Sequence, residues 1–314
     1  MMVIPIIFAA AVIVSGLALA AFVAANWAPD RLLAELKARW AQPPSTFVRV
    51  QGMNVHLRDE GPRTDPVPIV LLHGTSSSLH TWEGWAQELE AKRRVIRFDL
   101  PGIGLTGPPP DADYRIERYV RFVAAMLDEL GVSRCVLGGN SFGGQVAWET
   151  ALAHPERVDK LILVDAAGYP FQPVSLPLGF RIARIPLLNR LMEFTLPRRV
   201  IESSLSNVYG DSGKVTPELV DRYFDLTLRE GNRRALAQRF AQAPADIHPD
   251  RIAALNVPTL ILWGGRDRLI PPDDAARFHR DIAGSRLVVF DRLGHVPQEE
   301  DPAATVATVT QFLS

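Results

Sequence analysis

Three residues of this chain have the types and the order needed to attack a carbonyl carbon. Ser141 stands in Gly139-Asn140-Ser141-Phe142-Gly143, a G-x-S-x-G pattern with a further glycine at 144. An apolar run, Cys135–Leu137, precedes it and a helical pattern, Gly143–Ala153, follows. A serine at such a strand-to-helix turn sits on sharply bent backbone. Its hydroxyl projects over a helix N-terminus, where the dipole favours a developing negative charge. Serine alone is a weak nucleophile, so it needs a base, and the base needs an orienting carboxylate. Asp267, in Gly264-Gly265-Arg266-Asp267, follows the strand candidate Thr259–Trp263. His295, in Gly294-His295-Val296-Pro297, follows Leu287–Phe290. All three therefore fall at the carboxyl ends of strands, the edge on which open α/β sheets gather ligands.

Asp165 ends the strand candidate Leu161–Val164 and is a rival for the carboxylate position. The remaining histidines, at 56, 80, 154, 248 and 279, are read as structural, and His73 as shaping a turn. Two backbone N–H groups should stabilise the oxyanion: that of Phe142, directly after the nucleophile, and that of Thr75, in His73-Gly74-Thr75 after another strand candidate. This chemistry requires no metal and no organic cofactor. Cys135 is the sole cysteine, which excludes an intramolecular disulfide and a cysteine-based zinc site.

The elements that must carry these residues alternate along the chain. Phe47–Val50 and Met53–Leu57 flank Gln51-Gly52 as a hairpin. Strand candidates then recur at Ile69–Leu72, Val95–Phe98, Cys135–Leu137, Leu161–Val164, Thr259–Trp263 and Leu287–Phe290. Helical patterns lie between or after them at Arg118–Leu130, Gly143–Ala153, Pro272–Ile282 and Pro302–Phe312. The alternation predicts a mostly parallel sheet covered by helices on both faces. It breaks between Gly168 and Arg251, where helical periodicity is cut by five prolines up to Pro197. The expected organisation is a core of residues 45–167 and 252–314, interrupted by a helical cap at 168–251.

From Met1 to Pro29 there is no charged side chain. As a helix, Val3–Ala25 would reach roughly 35 Å, enough for a hydrocarbon core of about 30 Å. Residues 1–28 are thus expected to be a single-span membrane anchor, followed by an amphipathic juxtamembrane helix within 29–44. Arg31, Lys37, Arg39 and Arg49 follow the span and tilt the orientation toward a cytoplasmic catalytic domain. The alternative is an exported protein cleaved near Ala18-Leu19-Ala20.

The balance of 34 basic against 35 acidic residues offers no excess charge for phosphates, which disfavours nucleic acid as a partner. With 47% hydrophobic and 22% charged residues the chain can bury a sizeable core, which excludes disorder as its main state.

His73-Gly74, Asp99-Leu100-Pro101-Gly102-Ile103-Gly104, the Ser141 turn, Asp267 and Gly294-His295 together resemble the α/β-hydrolase fold superfamily over residues 45–314. The resemblance implies that fold, a Ser141–His295–Asp267 triad and a helical cap. Serine at 141 separates the chain from branches whose attacking residue is aspartate. Within the serine branch, Gly-Asn-Ser-Phe-Gly-Gly and Trp-Gly-Gly-Arg-Asp-Arg resemble the meta-cleavage-product C–C hydrolases, although those enzymes usually carry an aromatic residue where this chain has Val296. The expectation is a membrane-anchored serine hydrolase cleaving apolar or aromatic carboxylic esters through an acyl-enzyme. C–C bond hydrolysis, or a membrane-tethered binding protein with a vestigial triad, are the alternatives.

Overall fold

Strand spacing decides what the sheet can carry. In the computed structural model, which describes residues 3–243 and 249–314 (backbone alone at 3–12, 186 and 187), eight strands form one sheet. They are β1 (Thr46–Val50), β2 (Met53–Glu60), β3 (Ile69–Leu72), β4 (Val95–Phe98), β5 (Cys135–Asn140), β6 (Val158–Val164), β7 (Thr259–Gly264) and β8 (Arg286–Phe290). Their order is β1-β2-β4-β3-β5-β6-β7-β8. The opening hairpin pairs antiparallel, as does β2 with β4, and every later pairing is parallel. β3, β5 and β7 are buried along their whole length. That is why they read as short unbroken apolar runs rather than alternating ones.

Alternation still shows in where the side chains go. Val70 and Leu72 join one core with Ile96, Phe98 and the helices Ile116–Glu129 and Phe142–Ala153. Ile69 and Leu71 point to the opposite face, with Trp82, Trp85 and Val309 from Pro302–Leu313. Each fully buried side chain of this size contributes about 1.5–3 kcal/mol through removal from water. Between β6 and β7 the sheet is interrupted by helices alone among the described residues: Leu178–Ala183, Pro186–Met192, Arg198–Val208, Pro217–Thr227 and Asn232–Gln242.

The N-terminal segment departs from expectation. The helix Val3–Ala25 forms, but among the described residues no helix is long and apolar enough to cross a membrane. The single-span anchor and the membrane partner and location read from it are corrected accordingly. The segment that follows is bound to protein. Ala28 N–H donates to the Phe194 carbonyl at 2.9 Å and Leu196 N–H to that of Asn26 at 3.1 Å. The helix Leu33–Trp40, expected beside a membrane, buries Leu36 against Leu105 and Leu226. Its Trp40 Nε1 donates to Asp225 Oδ2 at 3.0 Å.

Asp99, at the end of β4, ties three separate segments to the sheet edge. Its buried carboxylate accepts from Leu79 N–H and Leu105 N–H, each at 2.8 Å, and faces His56 Nδ1 on β2 at 2.8 Å. Burial alone would push this carboxyl up, but His56, its hydrogen bond, and His73 and His80 behind it outweigh burial and hold it well below the usual range. His73 Nδ1 contacts the Gly74 carbonyl at 2.8 Å and its Nε2 lies 3.0 Å from Leu100 N–H. That pattern fixes a neutral ring with Nδ1 donating and Nε2 accepting. Burial depresses its pKa as well.

Asp99→Asn should therefore cost about 3 kcal/mol in urea unfolding at pH 7, since it strips charge from a buried acceptor of two backbone donors. Because the folded-state pKa is depressed, the stabilisation is present above the unfolded value near 3.9 and fades as pH falls below it. The variant should lack that part of the acid slope; a loss under about 1 kcal/mol would deny Asp99 this role.

Candidate active site

The turn after β5 positions Ser141 with φ 56° and ψ −119°, a left-handed conformation outside the ordinary range for serine. The flanking glycines allow it. A Cβ on Gly139 would stand 2.2 Å from the Gly143 carbonyl oxygen, and one on Gly143 would stand 2.3 Å from that of Leu72. The helix Phe142–Ala153 therefore starts directly against β3. Ser141 N–H still completes the ladder to the Val164 carbonyl at 2.9 Å.

Asp267 and His295 come together at this edge. Asp267 Oδ2 lies 2.6 Å from His295 Nδ1, both side chains buried. Asp267 Oδ1 accepts from Leu269 N–H at 2.8 Å and Ile270 N–H at 3.0 Å, so the loop after β7 locks the carboxylate in place. His295 N–H donates to the Val208 carbonyl at 2.7 Å, and Asn140 Nδ2 donates to the His295 carbonyl at 2.9 Å. The residue preceding Ser141 thus holds the loop that carries the histidine.

Asp165 is close but differently engaged. Its Oδ1 accepts from Gly264 N–H at 3.0 Å, while Oδ2 has no donor among the described residues. Burial, followed by the neighbouring Asp267 carboxylate, pushes its pKa well above the usual range. One ligand atom each from Asp165, Asp267 and His295 lies within 4.8 Å of the others. With His295 Nδ1 already on Asp267 and Asp165 driven toward its neutral form, these donors do not suit a metal ion.

The two oxyanion candidates flank the serine. Phe142 is the first residue of its helix, so its N–H has no acceptor within the helix. A Cβ on Gly74 would lie 3.1 Å from Ser141 Cβ, which puts the turn leading to Thr75 in contact with the nucleophile turn. Thr75 and Ser76 also line an apolar pocket, open to solvent, together with Phe180, Leu205, Tyr223 and Leu236 of the interrupting helices. Ser77 Oγ and Tyr223 OH are 3.1 Å apart, and Tyr223 OH donates to Glu299 Oε2 at 2.8 Å.

The other histidines are structural where they are described. His80 Nε2 lies 2.9 Å from the Trp40 carbonyl and its Nδ1 3.0 Å from Ser78 Oγ, with the pKa driven far down by burial. His279 Nδ1 pairs with Ser285 Oγ at 3.0 Å. His248 lies outside the described residues.

Arg239 was not picked out by the sequence. Its Nη2 donates to Thr75 Oγ1 at 2.8 Å, and its guanidinium sits 4.4 Å from the centroid of the Phe142 ring. In sequence it is one arginine among many on an amphipathic helix, and only the fold brings it to the two oxyanion candidates.

A family model described as alpha/beta hydrolase fold matches residues 67–302, and the chain belongs to that family. It is 31% identical over 281 residues to 2-hydroxy-6-oxo-2,4-heptadienoate hydrolase of Pseudomonas putida, covering 85% of this chain and 95% of that protein. It is similar to the structure of a meta-cleavage product hydrolase from Pseudomonas fluorescens (27% identity, TM-score 0.73, 85% of this chain and 97% of the other). A structure of a membrane phospholipase A is similar at 25% identity and TM-score 0.73, over 99% of this chain and 96% of that one. The chain is a hydrolase of the α/β fold.

The two carboxylates separate by substitution. Asp267→Asn should lower kcat about 10⁴-fold, since an amide presents the wrong partner to Nδ1. Asp165→Asn should stay within about tenfold of the parent, because an amide resembles the neutral acid that this site favours. Steady-state kinetics on any turned-over substrate checks this, and the reverse ordering would assign the orienting role to Asp165.

Proposed function

We propose that this hydrolase uses Ser141, His295 and Asp267 to cleave the carbon–carbon bond beside the ketone of a 2-hydroxy-6-oxo-dienoate, the meta-cleavage type of substrate. The observation that carries the reading is the contact of Asp267 with His295 at 2.6 Å, on the sheet edge that also holds Ser141 on its strained turn. The likeness to the heptadienoate hydrolase over most of both chains supports the choice of bond.

In this reading the substrate lies with its ketone oxygen between the N–H groups of Phe142 and Thr75. His295 Nε2 takes the Ser141 proton as Oγ adds to the ketone carbon, and Asp267 holds the resulting imidazolium in orientation. The tetrahedral adduct collapses by breaking the adjacent C–C bond. The electron pair passes into the conjugated chain, in its keto form, and the imidazolium supplies the proton to carbon. Water, deprotonated by His295, then resolves the acyl-enzyme and frees the carboxylic acid. Loss of one oxyanion donor would cost about 10²–10³ in kcat.

Ester cleavage is the second reading. Val296 favours it: this residue stands where the C–C hydrolases usually have an aromatic, and it is buried with Leu205, Tyr209 and Val220. The phospholipase A likeness points the same way.

The expected result is loss of the 2-hydroxy-6-oxohepta-2,4-dienoate chromophore with kcat/KM at least about tenfold above that for 4-nitrophenyl butyrate. The reverse ordering would make the protein an esterase. Ser141→Ala should remove both activities while leaving the unfolding midpoint nearly unchanged, and activity within a few-fold of the parent would dismiss the triad.

A further inference from the structure

The hairpin at the outer edge of the sheet assembles a second chain of serine, histidine and aspartate, apart from Ser141. β1 and β2 pair with Thr46 opposite Leu57 and Phe47 opposite His56. Ser45, one residue before β1, therefore comes level with Arg58. His56 and Arg58 are two residues apart and face the same side of β2. His56 Nδ1 lies 2.8 Å from Asp99 Oδ2, and its Nε2 lies 2.9 Å from Ser45 Oγ. Arg58 Nε donates to the same serine oxygen at 2.9 Å.

The proton positions follow from what each group can do. Asp99 is held as a carboxylate, which only accepts, so His56 Nδ1 carries a hydrogen. Arg58 has no acceptor atom, so the Ser45 hydroxyl hydrogen turns away from it and toward His56 Nε2. Ser45 thus accepts from a cation and donates to an imidazole that a buried carboxylate orients. That order of hydrogen bonds is the one that activates a serine as a nucleophile. The cluster that ties the sheet edge together has a chemical aspect as well as a structural one.

Burial leaves one way in. The side chains of His56 and Asp99 are sealed from solvent, and that of Arg58 is 9% exposed and matched by Glu83 at 2.6 Å. The Phe47 ring stacks on His56 with centroids 5.1 Å apart. Ser45 itself is only partly buried, so its oxygen is where a reagent meets the chain. In the strand order β1 stands four places from β5. At about 4.8 Å per place, that puts Ser45 roughly 19 Å from the Ser141 turn.

We propose that Ser45 is a second nucleophile and a covalent acylation site, which takes the acyl group of a small activated ester. Ser45 Oγ adds to the ester carbonyl carbon as its proton passes to His56 Nε2. Asp99 holds the imidazolium, and the Arg58 guanidinium favours negative charge on the attacking oxygen. The adduct collapses by breaking the bond to the ester oxygen, which leaves as the alcohol with the proton from His56. The product is an ester of Ser45. The inference is independent of the bond that Ser141 attacks.

The test uses the full chain carrying Ser141→Ala, treated briefly with 4-nitrophenyl acetate at pH 8, quenched in acid, digested and mapped by mass spectrometry. Ser45 should be acetylated at least about tenfold more than Ser203 and Ser212, two exposed serines. Adding His56→Gln should bring Ser45 down to their level. A second variant leaves the histidine in place. Ser45→Cys in the same background should give a thiol that iodoacetamide alkylates at pH 7 at least about tenfold faster than free cysteine, because the neighbouring cation and imidazole favour the thiolate. Cys135 does not compete, being buried with its thiol pushed up to about 12. A hydroxyl that merely bridges two side chains would move neither readout. Acetylation of Ser45 no greater than that of Ser203 and Ser212, acetylation that survives His56→Gln, or an introduced thiol no faster than free cysteine would each overturn the proposal.

Discussion

The structure depends on one close crossing: the helix that begins at Phe142 starts where the Leu72 carbonyl leaves room for nothing larger than a hydrogen on residue 143. From this contact follows the left-handed backbone at Ser141, because the chain must reverse from β5 into the helix within a single residue. From it follows also the adjacency of β3 and β5, despite the intervening β4 in sequence. The turn after β3 then touches the serine through Gly74, with Thr75 next in the chain. A larger side chain at Gly139 or Gly143 would separate the helix from the strand and disperse these groups together.

The sheet was largely legible because its central strands β3, β4, β5 and β7 are buried on both faces and bounded by turns. β3 and β4 coincide with the runs Ile69–Leu72 and Val95–Phe98. β5 is longer than its apolar run, extending through Gly138 and Gly139 to Asn140. Glycines have no intrinsic strand preference, and here the ladders to β3 and β6 on both sides impose one. The helix Glu83–Leu89 escaped notice, although Trp82, Trp85, Ala86 and Leu89 are spaced to face the sheet. In Leu33–Trp40 the apolar periodicity was visible but its partner was not. A stripe of leucines says that something covers it, and long-range packing on Leu105 and Leu226 decides what.

The candidate site divides in the same way. Ser141, Asp267 and His295 could be singled out because each ends a strand and their order is constrained. Asp165 has an equally good address, and only space separates the two acids. Asp267 meets His295 while Asp165 meets a backbone donor and a like charge. Val296 illustrates a different limit. Its departure from the resembling enzymes is plain in the chain, but its consequence emerges only where it packs with Leu205, Tyr209 and Val220.

In the proposed reading, chemistry and selectivity come from different parts of the chain. The sheet edge supplies the serine, the histidine, the carboxylate and the backbone donors, all on rigid elements whose positions are over-determined by the ladder. The helices between β6 and β7 supply Tyr223, Leu236, Arg233 and Arg239, which meet the sheet only at its loops. The insertion is tied to the core by many contacts, among them Arg239 to Thr75, His295 N–H to Val208, Gly210 and Asp211 N–H to Glu300, and Asn232 to the Gly104 carbonyl. At this seam the Arg239 guanidinium has no acidic partner among the described residues, and burial lowers its pKa.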